Sequence, residues 1–359
     1  MAPFWALWLK DKGLSPSEIG AIIAVPHLMK IVMAPLISQA ADKSQEYWRP
    51  LLICASFSLL CTTFYFIGDG FWVLMLITIA VNFTLPAVMP LLETVTVGQT
   101  TKHDLEYGQI RSIGSVAFIM AAVLFGWFLE NNDVAYVLWA IYVGMIFLTG
   151  SILILPRGNK RNQVGPVENS APIKFLLKNK GFLWFLSTVG FLQMSHGVYY
   201  SMSSIHWQGE GINEDTIGML WAVGVIAEIA VFMFLGKLLG TNKYTTIFAI
   251  VGLFGALRWT IMALTVSVPF LIFAQLLHGL TFGASHLAAI NYIKNRIPLE
   301  FAGSGQSLYT ALPLGLGMAA STYFGSLIYE HFHALAYLAM AALCMAAFFF
   351  SVFSVRLNK

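Results

Sequence analysis

Apolar residues follow one another in long runs along this chain, and short polar segments separate the runs. A helix that spans a bilayer needs about 20 such residues. Eleven runs reach about that length, and they cover residues 17–41, 50–68, 70–98, 107–129, 134–155, 181–207, 215–236, 243–264, 267–293, 302–328 and 334–355. The pattern predicts an all-α membrane protein.

A shorter apolar stretch, residues 1–9, precedes the first full run. At a rise of 1.5 Å per residue, nine helical residues extend only ~14 Å, about half of a ~30 Å hydrocarbon core. We interpret this stretch as the end of a twelfth helix that is truncated at its start. On this interpretation the working protein carries about 10–20 further residues before Met1.

The composition agrees with a membrane protein. Hydrophobic residues make up 58% of the chain and charged residues only 10%, whereas soluble domains carry roughly 25% charged residues. The net charge of +3 gives no indication of nucleic-acid binding. Cys54, Cys61 and Cys344 all fall inside apolar runs without metal-ligand spacing, so we expect buried structural thiols and no metal or other cofactor.

Lysine and arginine are concentrated in alternate loops. One side holds Lys43, Arg49, Lys102, Arg157, Lys160, Arg161, Lys174, Lys178, Lys180, Lys237, Lys243, Lys294, Arg296, Arg356 and Lys359. The other side holds only Lys10 and Lys12. Basic loops remain in the cytoplasm, so we expect the first side and the C-terminus to be cytoplasmic and the protein to lie in the cell inner membrane.

The two halves of the chain repeat one another. Gly13–Gly20 is echoed by Gly211–Gly218, 198 residues later, and Gly126–Glu130 by Gly325–Glu330. Parallel repeats of this kind build transporters from two halves around a central site. The sequence therefore predicts two six-helix bundles, residues 1–155 and 181–359, joined by a basic cytoplasmic linker at residues 156–180.

A few charged residues interrupt the apolar runs, although a charge at mid-bilayer costs at least ~2.5 kcal/mol. Glu93 and Arg111 lie on consecutive helices and could form an ion pair that opens to hold a substrate; a static salt bridge is the alternative. Lys30, in the second helix, adds positive potential to a cavity or snorkels to the surface. These charges indicate a polar interior and hence transport.

Three other residues are candidates for proton coupling. Glu228 lies in an apolar segment, where a carboxyl group can bind and release a proton near neutral pH; a structural pairing with Arg258 on the next helix is compatible with that role. His278 lies close in sequence to polar Gln275 and Thr281. His196 and His286 are weaker candidates for function.

Two further groups have an ordinary structural explanation beside a functional one. Tyr199 and Trp221, with neighbouring aromatic residues, could form a wall for a ring-containing substrate, or could simply pack in the core. Asp42, Lys43 and Arg49 lie in the loop between the second and third helices. They could form a conformational latch between the bundles, or a merely solvated turn.

The chain resembles the major facilitator superfamily, and within it the 3-phenylpropionate transporter group, which is related to proton symporters of the lactose permease type. The motifs that carry the resemblance are FWALWL from Phe4, YGQIRSIGSVAF from Tyr107, VIAE from Val225, LRW from Leu257, QLLH from Gln275 and SHLAAINYI from Ser285.

The resemblance implies a substrate role for Glu93 and Arg111, which keep the 18-residue spacing (111 minus 93) of the permease's acid and arginine. It implies a place for Arg258 and His278 in the proton-coupling network. Thr281 and Gln275 replace a carboxylate and a lysine of the permease, so proton release must be organised differently here and a galactoside substrate is not implied.

Together these observations predict a proton-coupled symporter that works by alternating access as a monomer, with the proton as its coupling ion. The expected substrate is a small organic molecule, best an aromatic carboxylate such as 3-phenylpropionate. A sugar or nucleoside symporter is the alternative in the same class, and a non-transporting membrane sensor in a different one. No nucleophile–base set or Walker motif points to an enzyme.

Overall fold

The computed structural model describes residues 2–44, 46–103, 106–155, 172–235, 243–298 and 301–357, apart from the side chains of residues 2, 101, 107–109, 111, 172, 235 and 354–357. Every regular element in this part of the chain is helical, so the predicted fold class is confirmed. Most of the predicted linker falls outside these ranges, although its last part contains a short helix.

The first half of the chain forms one bundle. Its helices are α1 (Ala2–Asp11), α2 (Pro16–Ser44), α3 (Trp48–Thr63), α4 (Phe71–Asn82), α5 (Leu85–His103), α6 (Tyr107–Glu130) and α7 (Tyr136–Ile154). Helices α4 and α5 together form one spanning unit. Helix α1 is short, but Phe4, Leu7, Trp8 and Leu9 are all buried.

The second half forms the other bundle. Its helices are α8 (Pro172–Lys178), α9 (Lys180–Met194), α10 (Gly197–Gly209), α11 (Glu214–Ala230), α12 (Tyr244–Leu264), α13 (Val268–His278), α14 (Ser285–Arg296), α15 (Ala302–Ala311), α16 (Met318–Phe332) and α17 (Ala336–Leu357). Three π-helical segments interrupt this bundle, at Val231–Leu235, Gly279–Ala284 and Leu312–Gly317. Such wide turns are rare and often mark functional sites.

Nine helical stretches of the described residues are long and apolar enough to span a membrane. The predicted run 181–207 is not among them because a turn at residues 195–196 divides it into α9 and α10. The predicted runs 302–328 and 334–355 fall within one stretch, Ala302–Phe353. That stretch contains a turn at His333, whose φ of 48° ends α16, so it accounts for two crossings.

The repeated Gly13–Gly20 and Gly211–Gly218 segments adopt the same structure. Each begins with a glycine of positive φ, 78° at Gly13 and 84° at Gly211, in the turn before α2 or α11. Side chains rarely adopt this conformation, so glycine is needed at both turns. The turns lie where lysine and arginine are scarce, and we refer to this end of the bundles as the lysine-poor end.

The two bundles touch closely at the lysine-poor end. A Cβ atom added to Gly218 of α11 would overlap the carbonyl oxygen of Ala122 of α6, and one added to Gly20 of α2 would overlap Ser326 of α16. Gly126 of α6 meets the carbonyl of Glu214 in the same way. Because only glycine allows these approaches, the repeated glycines close this end of the molecule.

Polar contacts reinforce the closure. Glu330, at the end of α16, accepts a hydrogen bond of 2.9 Å from the backbone N–H of Ser17 in the first turn of α2. Glu130, at the end of α6, accepts one of 3.1 Å from Asn213, which precedes α11. Each carboxylate thus joins one bundle to the start of a helix in the other, where negative charge is favourable. The two contacts occupy equivalent positions in the repeat.

Replacing Gly218, where α11 meets α6, by a larger residue should open the lysine-poor end. In Gly218→Leu, the new side chain cannot fit against the Ala122 carbonyl, so we expect the bundle ends to separate. A reporter cysteine at Ser326, which is fully buried, should then react faster with a membrane-impermeant maleimide added from that side.

The matched control is Gly144→Leu, because no atom lies within 4 Å of a Cβ added to Gly144. The native cysteines at 54, 61 and 344 are buried and give the background rate. Equal labelling of the reporter in Gly218→Leu and in the unsubstituted chain would show that this glycine does not hold the end closed.

Candidate functional site

A fully buried arginine forms the centre of the second bundle. Arg258 of α12 is 0% exposed. Its Nη1 donates to Thr281 Oγ1 at 3.1 Å, and its Nη2 donates to Gln275 Oε1 at 3.1 Å. The guanidinium carbon lies 4.1 Å from the ring centroid of Trp259 and 4.8 Å from that of Tyr199. The cation is therefore stabilised by neutral acceptors and by aromatic faces.

Gln275 joins this arginine to an aromatic residue. While its Oε1 accepts from Arg258, its Nε2 donates to the hydroxyl of Tyr199 at 3.2 Å. In the described part of the chain, the hydrogen bonds of Arg258 go only to uncharged groups, and Nε has no partner. A buried cation without a counter-ion is costly, so this arrangement favours the approach of an anion.

The predicted substrate and coupling residues of this bundle form one cluster. The ring centroid of Tyr199 lies 4.6 Å from that of Trp221 and 5.8 Å from that of His278. The ring centroid of His278 lies 5.7 Å from that of His196, and among the described residues the buried Nδ1 of His278 and Nε2 of His196 have no hydrogen-bond partner. The sequence predicted these residues separately, and the fold brings them together.

Glu228 borders this cluster from α11. A Cβ added to Gly224, one turn earlier, would lie 3.4 Å from His278 Cδ2, and one added to Gly283 would lie 3.3 Å from Glu228 Cγ. The carboxylate-bearing helix therefore packs directly on the π-helical segment Gly279–Ala284. Among the described residues, Glu228 is not a hydrogen-bond partner of Arg258, and a structural pairing of the two stays a prediction.

In the first bundle, the predicted Glu93–Arg111 pair stays a prediction. Glu93 of α5 is half-buried. Arg111 lies on α6, but its side chain lies outside the described residues. Lys30, near the middle of α2, is exposed and makes no ion pair with any described residue.

The predicted latch residues lie at the end of α2 and the start of α3. Asp42 accepts a hydrogen bond of 2.7 Å from Tyr47. Arg49 forms an ion pair of 3.2 Å with Glu46, and Lys43 is exposed. These contacts stay within the first bundle, and a role as a latch stays a prediction.

Sequence reasoning missed two residues beside His286. Phe282 stacks between two imidazoles, with ring centroids 5.4 Å from His278 and 6.2 Å from His286. The hydroxyl of Tyr309 lies 2.8 Å from His286 Nδ1. Residues 278, 282 and 286 are four residues apart, and this spacing could have predicted that Phe282 stacks with the two histidines. Tyr309 lies on another helix, α15, so sequence spacing could not have identified it as the partner of His286.

Removing the amide of Gln275 should destabilise the second bundle. Gln275→Leu leaves Arg258 Nη2 and the Tyr199 hydroxyl without their partner, and an unsatisfied buried polar group costs about 1–3 kcal/mol. We expect a lower temperature of thermal unfolding for the purified protein. Gln275→Glu is the control, since it keeps the acceptor for Arg258 and should unfold at or above the original temperature. An unchanged unfolding temperature in Gln275→Leu would contradict the bridging role.

Known relatives agree with the fold and with transport. Over 347 residues the chain is 29% identical to the "Probable 3-phenylpropionic acid transporter" of Escherichia coli (strain K12), a match that covers 97% of this chain and 91% of that protein. It is 23% identical to the "Maltose permease" of Geobacillus stearothermophilus, with 91% and 83% covered.

Solved structures resemble this one over nearly its whole length. The nucleoside transporter NupG has a TM-score of 0.84 at 15% identity, with 98% of this chain and 95% of that chain covered. A bacterial homologue of the human lysosomal transporter Spinster, in an inward-facing and unoccupied conformation, has a TM-score of 0.72 at 15% identity, with 99% and 92% covered. At these identities the similarity shows a shared fold.

The profile of the MFS_1 like family matches residues 1–353. This match covers both bundles and the segment between them. The protein therefore belongs to the MFS_1 like family of major facilitator transporters.

Proposed function

We propose that this protein is a proton-coupled symporter of a small aromatic carboxylate such as 3-phenylpropionate. The observation that carries the proposal is the state of two interior cations. Arg258 has only uncharged hydrogen-bond partners, and Lys30 has no carboxylate partner in the described part of the chain. The aromatic ring of Tyr199 stands beside Arg258, and the ring of Trp221 packs against that of Tyr199. Such an interior favours a solute that carries both a ring and a negative charge.

Both relatives are named as transporters or permeases, which supports a transport function. They differ in the substrate that their names give. The name of the Escherichia coli relative refers to an aromatic carboxylate, and that relative is more similar to this chain than the maltose permease is. A sugar has hydroxyl groups but no charge, and it would leave the two interior cations without an anion. We therefore favour the acid and keep the sugar as the competing candidate.

We assign proton coupling to Glu228. It borders the cluster that contains His278, and its helix packs against the π-helical segment that follows that histidine. A carboxylate would attract Arg258, whereas the protonated acid would not, so proton binding can change which groups the arginine favours. This is the kind of charge change that can bias two conformations of a transporter.

The predicted orientation in the membrane also indicates the side to which the space between the bundles is open. If the lysine-rich loops lie in the cytoplasm, then the glycine contacts and the Glu130 and Glu330 hydrogen bonds close the outer face. The described conformation then faces inward. The central segment, residues 156–180, would link two bundles that rock about the site. Glu93 and Arg111 would contribute the first bundle's share of the binding surface.

Uptake into proteoliposomes tests the function. The purified protein is reconstituted and offered labelled 3-phenylpropionate, benzoate, maltose and a nucleoside, with an inward proton gradient and with the gradient collapsed by an uncoupler. We expect concentrative uptake of 3-phenylpropionate that the uncoupler abolishes. Uptake of maltose or the nucleoside alone would replace the proposed substrate, and gradient-independent accumulation would refute proton coupling.

Replacing the proposed proton site should separate coupling from translocation. Glu228→Gln keeps the shape of the side chain but cannot cycle a proton, so we expect loss of gradient-driven accumulation while exchange of substrate across the membrane continues. Asp133→Asn, an exposed change between α6 and α7, is the control and should keep both activities. Concentrative uptake that survives in Glu228→Gln would place the proton site elsewhere, with His278 next to be tested.

A further inference from the structure

Lys30 points into the gap between the bundles. His27 lies three residues before Lys30 and four before Ile31, so each of the two is a neighbour of His27 on the surface of α2. The His27 ring lies close to the backbone of Leu314 in the other bundle. A Cβ added to the neighbouring Gly315 would overlap Ile31. Since His27 and Ile31, the neighbours of Lys30, both contact the second bundle, the ammonium group also lies on that side of α2 and not toward lipid.

His286 lies on the second bundle's side of this gap, in contact with the helix that leads into the Leu312–Gly317 segment beside Ile31, and near enough to Lys30 to interact with it electrostatically. Its ring is fixed by Tyr309, which is fully buried and whose hydroxyl lies 2.8 Å from Nδ1. When this hydroxyl donates to Nδ1, the imidazole proton is on Nε2. That second nitrogen makes no hydrogen bond to any described residue. Nε2 of His286 is therefore an oriented hydrogen-bond donor whose acceptor is not among the described residues.

The ring of Phe282 lies one turn before His286 and is only partly buried. Its centroid is 6.2 Å from that of His286, and the two rings are nearly parallel, at 7°. The ring of an arylalkanoate is a few bonds from its carboxylate. A molecule whose carboxylate lies between Lys30 and His286 can therefore place its ring against Phe282.

Resting on the function proposed above, we propose that the substrate's carboxylate is bound between the two bundles, by the ammonium of Lys30 from α2 and by Nε2 of His286 from α14, with the substrate's ring against Phe282. Tyr309 is a positioning residue, because it acts only through the orientation of His286. A lysine ammonium and an oriented imidazole N–H supply two charge-assisted hydrogen bonds to the two carboxylate oxygens. In this arrangement Arg258 acts on the substrate's carboxylate through its positive potential and not through a hydrogen bond.

This site explains how binding could act on both bundles at once. The two donors belong to different bundles, and both carry positive or partly positive groups toward the gap. An anion between them attracts each one, whereas an uncharged molecule attracts neither strongly. Substrate binding then stabilises the arrangement in which the bundles approach at the site.

Binding measurements with a matched pair of ligands test the site. The purified full chain in nanodiscs is titrated by calorimetry with 3-phenylpropionate and with its neutral amide. We expect Lys30→Gln to weaken binding of the acid by about tenfold or more while binding of the amide changes little, because only the acid loses a charge-assisted hydrogen bond. Lys30→Arg should keep most of the preference for the acid. The control, Lys294→Gln, changes an exposed lysine of α14 and should leave both affinities unaltered.

His286 and Tyr309 give an independent route if Lys30→Gln does not fold. We expect His286→Gln to weaken binding of the acid, and Tyr309→Phe to weaken it by a smaller factor. The double variant should be no weaker than His286→Gln alone, because Tyr309 acts through that histidine. Additive losses in the double variant would show that Tyr309 has only a structural role and would overturn its assignment.

The results of these measurements distinguish a failure of the proposed binding site from a failure of the proposed function. Wild-type protein that binds the acid, together with Lys30→Gln and His286→Gln variants that keep its preference over the amide, would overturn this site and leave the proposed function standing. Wild-type protein that binds neither ligand, but binds maltose or a nucleoside, would overturn both.

Discussion

A positive charge enclosed in apolar protein needs polar partners, and the second bundle is arranged around one such charge. Arg258 draws Thr281, Gln275 and two aromatic faces around itself. Each of these partners lies on a different part of the bundle, so the arginine ties α12, α13 and the following π-helical segment to α10. None of the partners is charged. The positive charge of Arg258 is therefore solvated by its partners but not neutralised, and it still attracts an anion. A transporter has to bind its substrate and then release it, and an unneutralised cation allows both.

The closed end of the molecule depends on a different kind of contact. Glycine backbones approach backbones and small side chains there, and two carboxylates reach the starts of helices in the opposite bundle. Beside them, apolar side chains of both bundles, such as Ile22 and Leu220, belong to one buried cluster, so opening this end also exposes apolar surface. The molecule thus combines an aromatic cluster around Arg258 with an end that close backbone contacts, two carboxylate hydrogen bonds and apolar packing hold together.

The sequence was sufficient for the fold and for naming several residues of the candidate site, whose roles stay predictions. Apolar run lengths predicted the helices, and the repeated glycine segments predicted the two bundles and proved to be the surfaces where they meet. Glu228 and His278 were found as polar residues in apolar surroundings. The contact between Gln275 and Tyr199 was not predictable, because it joins residues 76 positions apart whose distance depends on tertiary packing.

The Lys30 environment escaped prediction for the same reason. A lysine in the middle of an apolar helix can reach a cavity or the membrane surface, and only the neighbours of His27 and Ile31 decide between these directions. The break at residues 195–196 was also missed, because the run 181–207 has no proline to signal it. Apolar periodicity is insensitive to a single irregular turn.

The π-helical segment Gly279–Ala284 separates His278 from His286 on one continuous spanning unit. A π-helical turn contains one residue more than an ordinary α-helical turn. If the segment relaxed to a regular α-helix, everything after it would rotate about the helix axis by roughly 100°, the angle of a single residue. The angle between the two histidines around the helix axis would change by the same amount. A one-residue change of phase in this spanning unit would thus swing His286 away from the gap while His278 stayed beside Arg258, without any rigid-body movement of the bundle.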